Sequence, residues 1–117
     1  MADLILYHNP RCSKSRAALK LLEDSNQDFS IFLYLNENLN YVDITSLLDR
    51  LGISARELLR KSEDDYRSNN LKNAELENTE LIKFMIQFPK IIERPILDNG
   101  IKAVIGRPPE KILELLV

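Results

Sequence analysis

The chain has 117 residues, of which 44% are hydrophobic and 29% are charged, and its formal net charge at pH 7 is −2. These values are typical of one soluble globular domain that is long enough to bury a core. The charge gives no basic field for nucleic acid, and no apolar run approaches the ~20 residues of a membrane span. We therefore expect a single domain over residues 1–117, with no nucleic-acid or membrane partner and no signal peptide.

The apolar run Leu4–Tyr7 predicts a buried strand, because it is continuously apolar rather than alternating. Residues 29–35 are rich in β-branched and aromatic side chains and predict a second strand. A helix is predicted between the two strands, over residues 13 to about 23, with inward-facing side chains at Ala17, Ala18, Leu21 and Leu22. This β-α-β order favours a parallel pair of strands.

The middle of the chain is predicted to be helical. Asp43 is the predicted N-cap of a helix that ends at Gly52. Residues 54–57, Ser-Ala-Arg-Glu, fit a capping box and predict a short helix. A further helix is predicted to start at residue 78 or 79 and to end before Pro89.

The last third of the chain predicts strands again. Residues 95–97 and 101–105 predict a hairpin with a tight Asn-Gly turn at residues 99–100. The prolines at 108–109 predict a last helix, because proline is favourable at a first helical position. The whole order, β-α-β, helices, β-β-α, predicts an α/β fold with helices around a small mixed sheet.

Cysteine and histidine each occur once, as Cys12 and His8. One cysteine cannot form an internal disulfide, and a reducing cytoplasm is its natural compartment. One Cys and one His also exclude a four-ligand Cys/His zinc site, and we expect no bound metal.

The local sequence indicates that Cys12 is a reactive thiol. It lies between the turn after the first strand and the start of the first helix. A free thiol has a pKa of ~8.5, and helix N-termini and nearby cations lower it to roughly 3.5–7.5. The nearby cations are Arg11, Lys14 and Arg16. Because helix N-termini also bind anions, the sequence predicts a thiolate beside an oxyanion site.

Four segments extend this prediction. They are HNPRCSKSR at residues 8–16, ISARELLRK at 53–61, ERPI at 93–96 and IGRPP at 105–109. Together and in this order they resemble the glutaredoxin-coupled arsenate reductase family. The resemblance implies a thioredoxin-like fold with a helical insertion over about residues 40–90. Because the chain ends at Val117, it resembles the short chromosomal branch of the family.

The resemblance also implies residue roles. Cys12 would attack arsenate and form a thiol-bound arsenic adduct. Three arginines would bind the oxyanion, namely Arg60, Arg94 and Arg107. Guanidinium groups suit this role because they bind such oxygens bidentately.

Three further residues of the matching segments acquire roles by the same resemblance. His8 would help to keep Cys12 as the thiolate. Ser15 would form hydrogen bonds within the loop. Pro95 would be the cis-proline of thioredoxin-like folds.

Reduction of As(V) to As(III) needs two electrons, and one thiol cannot supply both. A second thiol must come from outside the chain, and the resemblance implies glutathione as co-substrate and glutaredoxin as partner. Ser15 supports such a monothiol mechanism, since a Cys-x-x-Cys pair would resolve itself. We therefore expect a cytoplasmic, monomeric arsenate reductase with no bound cofactor.

Two alternatives stay open. Ser13 and Lys14 stand where plasmid-borne members of the family have Gly-Thr, which favours another oxyanion or a glutathione-dependent thiol-disulfide reductase. Transcription regulators that bind RNA polymerase also share this fold and resemble this family. They carry a Cys-x-x-Cys switch, whereas this chain has Ser15 at the second position.

Overall fold

The computed structural model describes residues 4–116, which form two compact units. The first unit combines residues 4–37 with residues 94–116, and the second consists of residues 38–93. No helix within the described part of the chain is long and apolar enough to cross a membrane.

The first unit contains a four-stranded mixed sheet. Its strands are β1 (Leu4–Tyr7), β2 (Phe29–Phe32), β3 (Ile96–Asp98) and β4 (Ala103–Ile105). They lie in the order β2-β1-β3-β4. β1 pairs with β2 in parallel and with β3 antiparallel, and β3 pairs antiparallel with β4. The predicted parallel pair and mixed sheet are therefore confirmed.

Helix α1 (Ser13–Asp24) connects β1 to β2. Its buried face differs in part from the prediction, because Ala17 is exposed and Ser15 is buried in its place. Residues three and four apart share a helix face, so Ser15 lies above the predicted core residues of the same helix. The core of this unit consists of Leu6, Ala18, Leu22, Leu97 and Ile112.

Two strand predictions were too long. β2 ends at Phe32, and the backbone N–H of Asn36 donates to the carbonyl of Leu33 at 2.9 Å, so residues 33–36 form a turn. The β3–β4 hairpin has a four-residue connection over residues 99–102 instead of a two-residue turn. Ile101, predicted as strand, is 74% exposed within this connection.

The last helix of the first unit is a 3-10 helix, Pro109–Leu115. Side chains three residues apart eclipse each other in this geometry, which narrows the face that can be buried. Ile112 is fully buried, whereas the neighbouring Leu113 is exposed.

The second unit is helical. Its helices are α2 (Tyr41–Leu51), α3 (Asp64–Ser68) and α4 (Asn78–Gln87), with 3-10 turns at Arg56–Leu58 and Pro89–Ile91. Helix α4 begins at one of the two predicted positions and ends before the proline, as predicted.

The start of α2 corrects one prediction, since its N-cap is Asn40 and not Asp43. The side chain of Asn40 accepts a hydrogen bond from the Asp43 N–H at 2.8 Å, and the Asp43 carboxylate accepts one from the Asn40 N–H at 3.0 Å. These reciprocal bonds form a capping box. Gly52 ends the helix as predicted, in a left-handed conformation with φ of 69°.

The predicted capping box at residues 54–57 is also formed, but it opens only one 3-10 turn. The backbone N–H of Ser54 donates to the Glu57 carboxylate at 3.1 Å, and the N–H of Glu57 donates to Ser54 Oγ at 3.3 Å. The bonds predicted from the sequence are therefore present, and the predicted short helix is a single 3-10 turn, Arg56–Leu58.

Candidate active site

The loop between β1 and α1 is shaped by Asn9. Its carbonyl accepts a hydrogen bond from the Cys12 N–H, and its side-chain oxygen accepts one from the Arg11 N–H, both at 3.0 Å. The Cys12 carbonyl in turn accepts the Arg16 N–H at 3.0 Å, which makes Cys12 the N-cap of α1. The thiol is therefore held at the helix N-terminus, where it is partly exposed.

The surroundings of Cys12 favour its thiolate form. Burial by itself raises the pKa of the thiol, because it penalises the charged form. The backbone N–H of Ser15, the guanidinium of Arg94 and the backbone N–H of Lys14 outweigh this effect by hydrogen bonding, and the charge of Arg94 adds to them. The net result is a pKa below the ordinary value of a thiol.

Below the thiol, Ser15 connects two parts of the loop. Its side chain is fully buried, and its Oγ accepts a hydrogen bond from the Asn9 N–H at 3.0 Å. The same oxygen lies 2.7 Å from Nδ1 of His8, which is also buried. With a neutral imidazole, the Ser15 hydroxyl donates to Nδ1, so both partners are satisfied.

His8 is neutral near pH 7 in this arrangement. Burial lowers its pKa, and the nearby charge of Arg16 lowers it further. A neutral imidazole adds no positive charge beside Cys12, and the predicted role of His8 in keeping Cys12 as the thiolate stays a prediction. What the geometry shows for His8 is its hydrogen bond with Ser15.

The His8 imidazole is expected to titrate with a midpoint below ~6.5, the ordinary histidine value, because burial and Arg16 disfavour its protonation. Protonation would thus occur more readily in the unfolded chain, and its cost to stability would appear only as the pH falls below that value. Because His8 is the only histidine, its ring signals in an NMR titration report on it directly. A midpoint at or above ~6.5 would contradict the prediction.

Two of the three predicted oxyanion arginines, Arg94 and Arg107, are joined by a hydrogen bond from a side chain to the backbone. Arg94 is only 9% exposed and immediately precedes β3. Nη1 of Arg107 donates to the Arg94 carbonyl at 3.0 Å. The Arg94–Pro95 peptide bond is cis, as the resemblance implies, and the Arg107–Pro108 bond is cis as well.

Gly106 sets how closely its own segment packs against Pro95. Its N–H donates to the Pro95 carbonyl at 2.8 Å. A Cβ atom at Gly106 would lie 2.9 Å from Pro95 Cγ and 3.0 Å from Ile112 Cγ2. Such contacts are shorter than van der Waals packing allows, so only glycine fits without displacement of its neighbours.

The third predicted arginine, Arg60, belongs to the second unit. It follows an isolated antiparallel bridge between Leu59 and Ile92. Its Nε donates to Glu63 Oε2 at 3.0 Å, and its Nη1 lies 3.7 Å from Glu93 Oε1. The guanidinium that was predicted to bind an oxyanion thus faces two carboxylates of its own unit.

The sequence prediction placed Asn9 in the turn but assigned no hydrogen bonds to it. The Asn-Pro dipeptide at residues 9–10 is a known turn signal, but it does not specify which backbone groups the asparagine binds. Within residues 4–116, no group of three or more His, Cys, Asp or Glu side chains is placed to hold a metal ion.

The first unit thus combines a mixed α/β sheet with a partly exposed thiol of lowered pKa at the start of its first helix. The sequence model of the ArsC family matches residues 7–115. The chain therefore belongs to the ArsC family, and the predicted family and fold are confirmed.

Individual relatives also align with almost the whole length of this chain. The chain is 45% identical over 115 residues to the arsenate reductase of Haemophilus influenzae, across 97% of this chain and 99% of that protein. It is 40% identical over 118 residues to an arsenate reductase of Neisseria meningitidis serogroup B, across 99% of this chain and 100% of that one. The solved structure of the arsenate reductase from Vibrio cholerae superposes with a TM-score of 0.93 at 37% identity, over 97% of each chain.

Proposed function

We propose that this protein reduces arsenate to arsenite with one nucleophilic cysteine, Cys12, and takes its electrons from glutathione and glutaredoxin. The observation that carries this proposal is the partly exposed Cys12 thiol, whose pKa is lowered by Arg94 and by the N-terminus of α1. Relatives named arsenate reductase, which align with almost the whole chain, support the choice of substrate.

The oxyanion would bind beside the thiol. Arsenate is a tetrahedral anion, and guanidinium groups bind its oxygens through paired N–H donors. Arg94 supplies such a group next to Cys12, and Arg107 is tied to the Arg94 backbone. The N–H groups at the start of α1 add donors that need no reorganisation when negative charge develops.

The reaction is balanced in three steps. The Cys12 thiolate attacks arsenic, an S–As bond forms, and a hydroxide leaves and is protonated to water. A glutathione thiolate then attacks Cys12 Sγ, and the S–As bond breaks with its electron pair on arsenic, which departs as As(III). The Cys12–glutathione disulfide that remains is cleaved by a glutaredoxin thiolate, which takes the glutathione and restores Cys12.

The need for outside thiols follows from the loop. Cys12 is the only cysteine in the chain, and the position of a resolving cysteine is taken by Ser15. That side chain is buried and hydrogen-bonded to Asn9 and near His8, so the loop offers no second thiol. We expect the protein to act as a monomer in the cytoplasm, where glutathione is kept reduced.

A coupled assay tests the proposal. Arsenate, glutathione, glutaredoxin, glutathione reductase and the protein are combined, and the loss of NADPH is followed. We expect consumption that requires arsenate, glutathione and glutaredoxin together. No consumption above a Cys12→Ser background would rule the proposal out. A higher kcat/KM for a glutathionylated peptide than for arsenate would instead favour a thiol-disulfide reductase.

A further inference from the structure

Three exposed cationic side chains flank Cys12 along the chain. Arg11 immediately precedes the cysteine, and Lys14 and Arg16 lie in the first turn of α1. The groups that lower the pKa of the thiol are Arg94 and backbone N–H groups, and not the charges of these three side chains. The three residues, here called the cationic collar, therefore present their charge to the solvent outside the thiol.

The collar has no carboxylate partner in the described part of the chain. Segment 4–22 contains no Asp or Glu, and no collar residue forms an ion pair with any residue between 4 and 116. Nη1 of Arg16 donates to the Pro10 carbonyl at 2.9 Å, which holds its charge against the loop that carries Cys12. An anion that approaches the thiol from solvent therefore meets unpaired positive charge.

Glutathione is an anion whose position the proposed reaction fixes. Its sulfur is bonded to Cys12 Sγ in the mixed disulfide, and a carboxylate lies on either side of that sulfur along the tripeptide. An extended tripeptide spans roughly 10 Å, so neither carboxylate can move far from the collar while the disulfide holds. The attacking glutathione thiolate is also strongly anionic, because its sulfur and two carboxylates outnumber its single ammonium group.

We propose that the cationic collar binds the carboxylates of glutathione and thereby selects anionic thiols as electron donors to Cys12. This inference rests on the proposed function in one respect, because it takes glutathione as the outside thiol. The oxyanion is assigned to other cations, Arg94 and Arg107, so the two anions do not compete for the same side chains.

A thiol-exchange assay without arsenate or glutaredoxin tests this proposal. Cys12, the only cysteine of the chain, is first converted to its disulfide with 2-thiopyridine. A glutathione thiolate then attacks Cys12 Sγ, the S–S bond breaks with its electron pair on the leaving sulfur, and absorbance follows the 2-thiopyridone that is released. Glutathione diethyl ester is the reference thiol, because it keeps the tripeptide and the sulfur but has no carboxylate.

The measured quantity is the rate constant for glutathione divided by that for the ester, each per thiolate. At low ionic strength, Arg11→Gln/Lys14→Gln should lower this ratio at least about threefold, since each pair of exposed charges contributes modestly. The rate constant for the ester should stay within about twofold of the wild type, because its thiolate has no net charge. Arg16 is retained in this variant, because its bond to Pro10 shapes the loop.

Salt provides a second measurement on the wild type alone. Charges are screened beyond roughly 3 Å at an ionic strength of about 1 M, so the wild-type ratio should fall there to that of the double variant. A wild-type ratio that does not respond to salt would contradict recognition of the carboxylates by an exposed collar.

Lys20→Gln is the matched control, because Lys20 is an exposed lysine of the same helix that pairs with Asp24 at 3.8 Å. It should leave the ratio unchanged. Equal ratios in the wild type and the double variant at low ionic strength would overturn the proposal. A fall of both rate constants by the same factor would also overturn it, since that result would reflect altered packing of the loop.

The outcome is separable from that of the proposed function. Thermal unfolding verifies that each variant is folded, and mass spectrometry verifies that one glutathione is bound to Cys12. A failed arsenate assay with the ratio intact would remove the proposed function and leave the recognition of glutathione by the collar standing. Arsenate turnover with equal ratios would remove the collar alone.

Discussion

Replacement of Cys12 by serine is expected to lower arsenate reduction by about a thousandfold or more. A serine hydroxyl is not ionised at neutral pH, so it offers no nucleophile to form the bond to arsenic. The NADPH-coupled rate per enzyme molecule measures the loss. A Cys12→Ser rate within about tenfold of the wild type would show that another group carries the reaction.

Two controls separate chemistry from folding in this variant. Cys12 is partly exposed and does not belong to the buried core cluster, so the thermal midpoint of Cys12→Ser should stay close to that of the wild type. Mass spectrometry after incubation with arsenate and glutathione, without glutaredoxin, should find one glutathione on the wild type. The same treatment should leave the serine variant unmodified.

Arg94→Gln is expected to raise the pKa of Cys12 and to lower kcat/KM for arsenate by about a hundredfold. Arg94 stabilises the thiolate by a hydrogen bond and by its charge, and it is also the oxyanion ligand proposed beside the thiol. Alkylation of Cys12 by iodoacetamide follows the thiolate fraction, so its midpoint against pH should move upward. Phosphate should slow alkylation of the wild type and should do so less in the variant.

Arg67→Gln is a suitable control, because Arg67 is exposed and pairs with Asp64 in the second unit. It should change neither the alkylation midpoint nor the turnover. Arg94→Lys should restore part of the lowered thiol pKa but little of the turnover, since an ammonium lacks the forked donor geometry. An alkylation midpoint that Arg94→Gln leaves unchanged would refute the role of Arg94 in thiol activation.

The segment around Cys12 could be predicted because its determinants are local. A continuously apolar strand, an Asn-Pro turn and helical spacing lie within one stretch of the chain. The bonds that organise this loop could not be predicted in the same way. Ser15 is buried because Asn9 and His8 converge on its hydroxyl, and this convergence exists only once the loop has closed.

Element boundaries were predicted less well, for a different reason. Asn40 and Asp43 are both good N-cap residues, three positions apart, and their reciprocal hydrogen bonds settle which one caps the helix. Asn99 and Gly100 favour a two-residue turn, but β3 ends at Asp98 and β4 begins at Ala103. The connection is therefore longer than the dipeptide alone indicates.

The surroundings of Arg60 lay beyond sequence reasoning altogether. The arginine could be singled out only by its place in a family segment. Its contact with Glu93 depends on the bridge between Leu59 and Ile92, which joins segments far apart along the chain. No local pattern specifies that register, so the ion pair was not anticipated.

The contact between Gly106 and Pro95 has an evolutionary consequence. A side chain at Gly106 would push against Pro95, which adjoins Arg94. Substitutions there would reach the reactive thiol indirectly, through displacement of Arg94. A substitution at Gly106 would therefore need a compensating change near Pro95. A random-mutation screen for lost activity should recover Gly106 alongside Cys12.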